Sequence, residues 1–158
     1  MLAAIALSIA HLLYDLAHPS VSQLGQVGDS HDFVDLARHT NAHPMPGLTI
    51  WRPNAPLIFA NAETVLGTIA DAARAAGAPT LVLSLEESHD LDSTAIDALA
   101  EFATTLGALG IRVILARAHD HVRTVLTRAG LHDLAQSATF SVADAVTLAG
   151  GRWQDAVL

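Results

Sequence analysis

The chain contains no cysteine and no lysine: all eight of its basic residues are arginine, against sixteen acidic residues. The first absence excludes disulfides and thiolate chemistry, and is compatible with an intracellular setting. The shortage of basic groups, a net charge of −8 and only 4% aromatics leave no basic cluster or stacking surface for a phosphate backbone, which excludes nucleic acid as a partner. Long apolar runs are lacking too. Met1 to Leu13 is apolar apart from Ser8 and His11, shorter than the roughly 20 residues a bilayer requires, so it cannot span alone. A secretory signal would need positive charge near Met1 and a small-residue cleavage site; the first basic side chain is Arg38. No internal repeat is present.

What is there is aliphatic. Of 158 residues, 51% are hydrophobic and mean hydropathy is +0.39, enough for one domain with a substantial core. The apolar N-terminus, residues 1–17, reads as a helix packed on the domain, an interfacial helix, or the tail of a transmembrane helix. Residues 18–46, rich in Gly, Pro, Ser, His and Asn, read as an irregular linker with a short helical turn near Phe33 to Arg38. A globular domain is expected over 47–150, with a tail at 151–158.

Within that domain Leu48 to Trp51 and Leu57 to Phe59 are strand candidates separated by Arg52-Pro53-Asn54-Ala55-Pro56, which suggests an antiparallel pair. Asn61 is placed to cap a helix over Ala62 to Ala76, with Val65, Leu66, Ile69 and Ala73 on one face and Gly77-Ala78-Pro79 as its stop. Thr80 to Leu85 and Ile111 to Ala116 are buried strands, and between them a helix runs to about Leu109. His119 to Ala129 and Ser141 to Leu148 are further helices, with an edge strand expected at Thr139-Phe140. Alternation of this kind means an α/β sandwich with a mixed, partly parallel sheet.

Asp90-Leu91-Asp92-Ser93-Thr94-Ala95 lies where the Thr80 to Leu85 strand hands over to its helix. A hydroxyl there caps unpaired N–H groups, and a phosphate would be held by the same groups and the helix dipole. Thr94 to Asp97 fits a capping box with Asp in place of Glu. In open α/β sheets sites gather where strands end, which puts Glu86 to Thr94 and Arg117 to His121 on one rim. Asp90, Asp92, Arg117 and His119 are its candidate contact residues.

Three other constellations are weaker. His119 and His121, two residues apart at a helix start, project about 200° apart, so no metal site is expected. Ser93, His89 and Asp92 are too close along a turn to form a relay, and no Gly-x-Ser-x-Gly elbow accompanies them, so catalysis is not expected. Glu86-Glu87 with Asp90 and Asp92 reads as a solvated acidic loop. No cofactor is implied.

Several stretches resemble the STAS domain of anti-sigma-factor antagonists and of the cytoplasmic tails of sulfate permease (SulP) anion transporters, the transporter branch more closely. They are Phe33 to His39 with Pro46 to Ile50, Pro56 to Glu63 (PLIFANAE), and Val122 to Leu131 (VRTVLTRAGL). Ser8 to Leu24 is similar to the end of the last membrane helix and its linker. The resemblance implies a STAS-like sandwich preceded by an apolar helix, acting without catalysis as a regulatory and docking module on the cytoplasmic face of the membrane. The implied partner is the transmembrane transport domain, with other cytoplasmic proteins possible. Asp92-Ser93-Thr94 matches the Asp-Ser-Ser/Thr pattern of phosphorylatable antagonists, which makes Thr94, then Ser93, the phosphoacceptor. Ala95 departs from the glycine usual there. The alternative is a free-standing antagonist-like module switched by phosphorylation at the same hydroxyls.

Overall fold

Thr80–Ser84 (β5), five residues of which every one is buried, is the strand around which the protein is built. An uninterrupted apolar strand needs cover on both faces, and it receives it. The structure is a computed structural model describing residues 2–150; the tail expected at 151–158 lies outside the described residues. In chain order the elements before β5 are α1 (Leu2–Ala17), β1 (Val21–Val27), β2 (Phe33–Asp35), β3 (Ala42–His43), β4 (Leu48–Pro53) and α2 (Ala62–Ala76). After it come α3 (Ser93–Ala108), β6 (Arg112–Ala116), α4 (Asp120–Arg128), α5 (His132–Ser137) and α6 (Val142–Leu148).

The sheet order is β2-β1-β4-β5-β6, with β3 also on β1. β4, β5 and β6 are parallel, joined through α2 and α3, whereas β1 is antiparallel to β2, β3 and β4. On one face Leu81, Leu83, Val113 and Leu115 pack with Leu66 and Ile69 of α2, Leu99, Phe102 and Leu106 of α3, and Val122 and Leu126 of α4. On the other, Leu24, Ile50, Val82 and Ile114 meet Val142, Ala145 and Val146 of α6. The expected α/β sandwich with a mixed sheet is therefore the observed one.

Local chemistry explains the helix ends. Gly77 adopts φ 64°, closing α2 with its N–H shared between the carbonyls of Ala73 and Arg74, a left-handed position that glycine fills without strain. Gly25 in β1 has a different reason. A Cβ there would lie 2.6 Å from the His43 carbonyl oxygen and would also strike Leu36, so the close approach of β3 requires a bare Cα.

Several local expectations are corrected. The segment 18–46 is no irregular linker: it contributes β1, which pairs with β4 over Val21↔Pro53 to Leu24↔Ile50, and the turn near Phe33 is strand β2 before it turns. The alternation of Ser22, Leu24 and Gln26 as buried positions is a period-2 signal interrupted by Gly25 and by polar residues, and it is masked for that reason. Leu57 to Phe59 forms no strand. Its three N–H groups instead donate to side chains, Leu57 to Ser88 Oγ, Ile58 to Asn61 Oδ1 and Phe59 to Asp92 Oδ2. Thr139-Phe140 is likewise not a strand, although the Thr139 N–H donates to the Leu115 carbonyl and its own carbonyl accepts from Ala118. The short helix α5 is a further element, without a periodic apolar pattern to announce it in the sequence.

Apolar α1 exposes Leu7, Leu12, Leu13 and Tyr14 among others. No helix among the described residues is long and apolar enough to cross a membrane.

Candidate docking rim

The parallel strands β4, β5 and β6 end together, and the loops leaving β5 and β6 form the expected rim. Arg117, directly after β6, has φ 56°, a left-handed conformation that a side-chain-bearing residue adopts at a cost and that turns the chain sharply. Its guanidinium reaches Glu86 at 3.4 Å, and the other carboxylate oxygen of Glu86 faces Arg52 of β4, also at 3.4 Å. The Arg52 Nε is buried without a hydrogen-bond partner. One carboxylate thus bridges two partly exposed guanidiniums over long contacts, a weak tie by the measure of exposed pairs.

Two further contacts join the same loops. The His89 and His119 rings stack at 4.4 Å with 18° between planes, and His121 Nε2 lies 3.1 Å from Asp90 Oδ1. His119 and His121 therefore point to different partners, and among the described residues no group of three or more ligating side chains is arranged for a metal ion.

Ser93 and Thr94 are exposed at the first turn of α3. The capping expectation shifts by one residue or two: the cap is Asp92, whose Oδ1 accepts from the Ala95 N–H at 2.8 Å. Its other oxygen accepts from the Phe59 N–H at 2.7 Å. A carboxylate outcompetes the hydroxyls because it takes two N–H groups at once and complements the helix dipole, and among the described residues the Ser93 and Thr94 side chains make no hydrogen bond. Both Asp92 oxygens accept from backbone N–H groups, and the His89 ring stacks on His119.

Asn61 does not cap α2 with its side chain either. It is 1% exposed, its Oδ1 accepting from Ile58 and its Nδ2 donating to the carbonyls of Pro56 at 3.1 Å and Leu16 at 3.3 Å. Phe59, two residues earlier, is 71% exposed.

The rim thus has two sides. Asp92, Ser93 and Thr94 adjoin the Phe59 turn, whereas Glu86 and Arg117 face a cleft of about 460 Å³ that Phe33, His39 and Val142 also line. Near that cleft Asp35 accepts from the Ser22 hydroxyl at 2.7 Å and the Ala37 N–H at 2.8 Å. These bonds, with Arg38 and Arg52 nearby, hold its carboxyl below the ordinary 3.8. A larger groove of about 750 Å³ between α3 and α5 lies elsewhere, lined mainly by small and aliphatic residues such as Ala103, Gly107, Leu131 and Leu134.

Of the residues expected at the rim, Asp90 meets His121, Asp92 holds the Ala95 and Phe59 N–H groups, Arg117 meets Glu86 and His119 stacks on His89, partners that spacing alone does not give. Arg52, Phe59, Asn61 and Ser88, which the same contacts bring beside them, carry no sequence motif that points there, although Phe59 is an aromatic in a chain with few.

This architecture, a mixed sheet with a hydroxyl-bearing corner before its second crossover helix, defines a class, and residues 39–145 match the STAS domain family, to which the chain belongs. Sulfate transporters are among the proteins it is similar to. It is 38% identical over 136 residues to a "Probable sulfate transporter" of Mycobacterium tuberculosis, a match covering 84% of this chain and 24% of that protein. The chain thus spans about a quarter of the length of that relative. Among solved structures it is similar to the murine Slc26a9 anion transporter in the inward-facing state, with TM-score 0.80 and 26% identity over 92% of this chain and 24% of that one. The SulP transporter STAS domain from Vibrio cholerae gives TM-score 0.54 and 26% identity, over 72% of this chain and 89% of the other. A putative anti-sigma factor antagonist from Thermotoga maritima gives TM-score 0.59 at 18% identity over 67% and 90%, a likeness of fold alone.

Proposed function

We propose that the chain is the regulatory and docking module of a SulP-type anion transporter, held at the cytoplasmic face of the cell membrane and without catalytic activity. In this reading residues 1–17 are the cytoplasmic end of a membrane helix, and the transmembrane transport domain is the partner. The observation that carries it is the likeness to the Slc26a9 transporter over 92% of the chain, more than the 72% shared with an isolated SulP STAS domain. The exposed apolar side of α1, with Ile5, Leu7, Ile9, Leu12, Leu13 and Leu16, agrees with it, since such a surface needs lipid or other helices against it, while Ser8, His11 and Asp15 make a polar stripe.

Asp90, Asp92, Arg117 and His119 belong to the contact surface, with Thr94, and after it Ser93, as the phosphoacceptor. Both hydroxyls are exposed at the first turn of α3, where free N–H groups and the dipole favour a phosphate, and the added charge would alter docking beside Asp92. Thr94→Asp and Thr94→Ala, each with its fold verified, test the switch through affinity for the transport domain; equal affinities remove it.

The second reading is the free-standing antagonist-like module switched at the same hydroxyls, for which the shared fold with the Thermotoga protein speaks. Cosedimentation with lipid vesicles at neutral pH discriminates the two. The transporter reading expects the chain in the pellet and a variant lacking residues 2–17 in the supernatant; a parent chain that stays in the supernatant overturns it.

A further inference from the structure

One buried side chain of the domain, Asn61, reaches α1. The Leu16 carbonyl, in the last turn of α1, accepts from Asn61 Nδ2 at 3.3 Å; the same nitrogen donates to Pro56 at 3.1 Å and Oδ1 accepts from Ile58 at 3.0 Å. A buried amide with both ends occupied is rigid, because each lost bond would leave a polar group unpaired away from water. The turn that Asn61 organises is tied to α3 by Asp92, which takes the Phe59 N–H with one oxygen and the Ala95 N–H with the other. Phe59 and Asn61 are two residues apart, about 7 Å at most along the chain. The last turn of α1 and the Ser93/Thr94 corner are therefore the two ends of one short hydrogen-bonded unit.

We propose that Asn61 is the joint that fixes the angle at which α1 leaves the domain, and that the Asp92-held turn links this angle to the start of α3 where Ser93 and Thr94 lie. Asn61 acts here as a positioning residue. Its significance for transport rests on the reading of α1 as a membrane-helix end, but the geometry does not. The residue suits the task because only an amide both accepts from Ile58 and donates to two carbonyls; aspartate keeps the acceptor and loses the donors.

The absence of cysteine allows spin labels to be placed at will. Labels at Ser8→Cys on α1 and Thr105→Cys on the exposed side of α3, in the full chain in detergent micelles, report the angle as a distance distribution by double electron resonance. The parent should give a single narrow peak, and Asn61→Asp should lose it while hydrogen exchange in β5 stays protected. A broad parent distribution, or an Asn61→Asp peak matching the parent's, overturns the proposal. Should Asn61→Asp unprotect β5, Asp92→Asn decides: a shifted or broadened peak supports the joint, and an unchanged one overturns it. The result is separable from membrane association, since a chain that stays in the supernatant can still hold α1 at a fixed angle, and a pelleted one can hold it loosely.

Discussion

Replacing Asp92 tests whether α3 is held by the carboxylate or by the hydroxyls that follow it. Loss of a side-chain cap costs about 1 kcal/mol. The second bond, to an N–H in a water-exposed turn, adds about 1 kcal/mol, below the ~1.5–3 kcal/mol of a charged hydrogen bond shielded from solvent. Asp92→Ala should therefore destabilise by about 2 kcal/mol, and with a urea m of about 2 kcal/mol/M the midpoint should fall by about 1 M. Asp92→Asn keeps an oxygen for the Ala95 N–H but offers an NH₂ where the Phe59 N–H needs an acceptor, so it should fall by about half as much. Ser93→Ala and Thr94→Ala, which remove exposed hydroxyls with no bonds, should stay within about 0.5 kcal/mol of the parent. The assay is equilibrium urea unfolding followed by circular dichroism at neutral pH, with m compared across the four variants. A Thr94→Ala loss equal to that of Asp92→Ala would refute the reasoning and restore the capping box at Thr94.

Three further outcomes are expected. Ser88→Ala strands the N–H of fully buried Leu57, which Ser88 Oγ now accepts at 3.0 Å, and should cost about 1–3 kcal/mol; a neutral result in urea unfolding would mean that water or another acceptor serves Leu57. Gly25→Ala should cost about 1–3 kcal/mol and disturb the pairing of β1 with β3, visible as loss of amide protection near Ala42 with the β4–β5–β6 ladder intact; unchanged exchange there would contradict the close approach. Ser22→Ala removes the largest cause of the low Asp35 pKa and should move the carboxyl up towards 3.8 in an NMR titration. Because the folded pKa is the depressed one, Asp35 contributes stability that is present above 3.8 and lost as pH falls through its folded value. The parent should thus lose more stability than Ser22→Ala on going from pH 5 into that acid range, and parallel acid profiles would count against the Ser22 bond.

Much of the fold was written locally. β5, β6, α2 and α3 follow from aliphatic runs, helical periodicity and the Gly77 stop, because a buried strand and an amphipathic helix each carry their own pattern in consecutive residues. The parallel core between them follows from their alternation, and the hydroxyl corner falls at the strand-to-helix turn that any such sheet must have. What tertiary structure decided are contacts between residues far apart in sequence. β1 is polar and broken by Gly25, so only its ladder with β4 makes it a strand. Leu57 to Phe59 has strand-like residues, yet its N–H groups found acceptors on Ser88, Asn61 and Asp92 and had no need of a neighbouring chain. Asp92 became the cap because it could serve Phe59 as well as Ala95, a benefit that the helix sequence alone does not contain. The joining of His89 with His119, of Glu86 with two arginines, and of Leu16 with Asn61 likewise depends on where the parallel strands end, and composition and spacing do not encode that convergence.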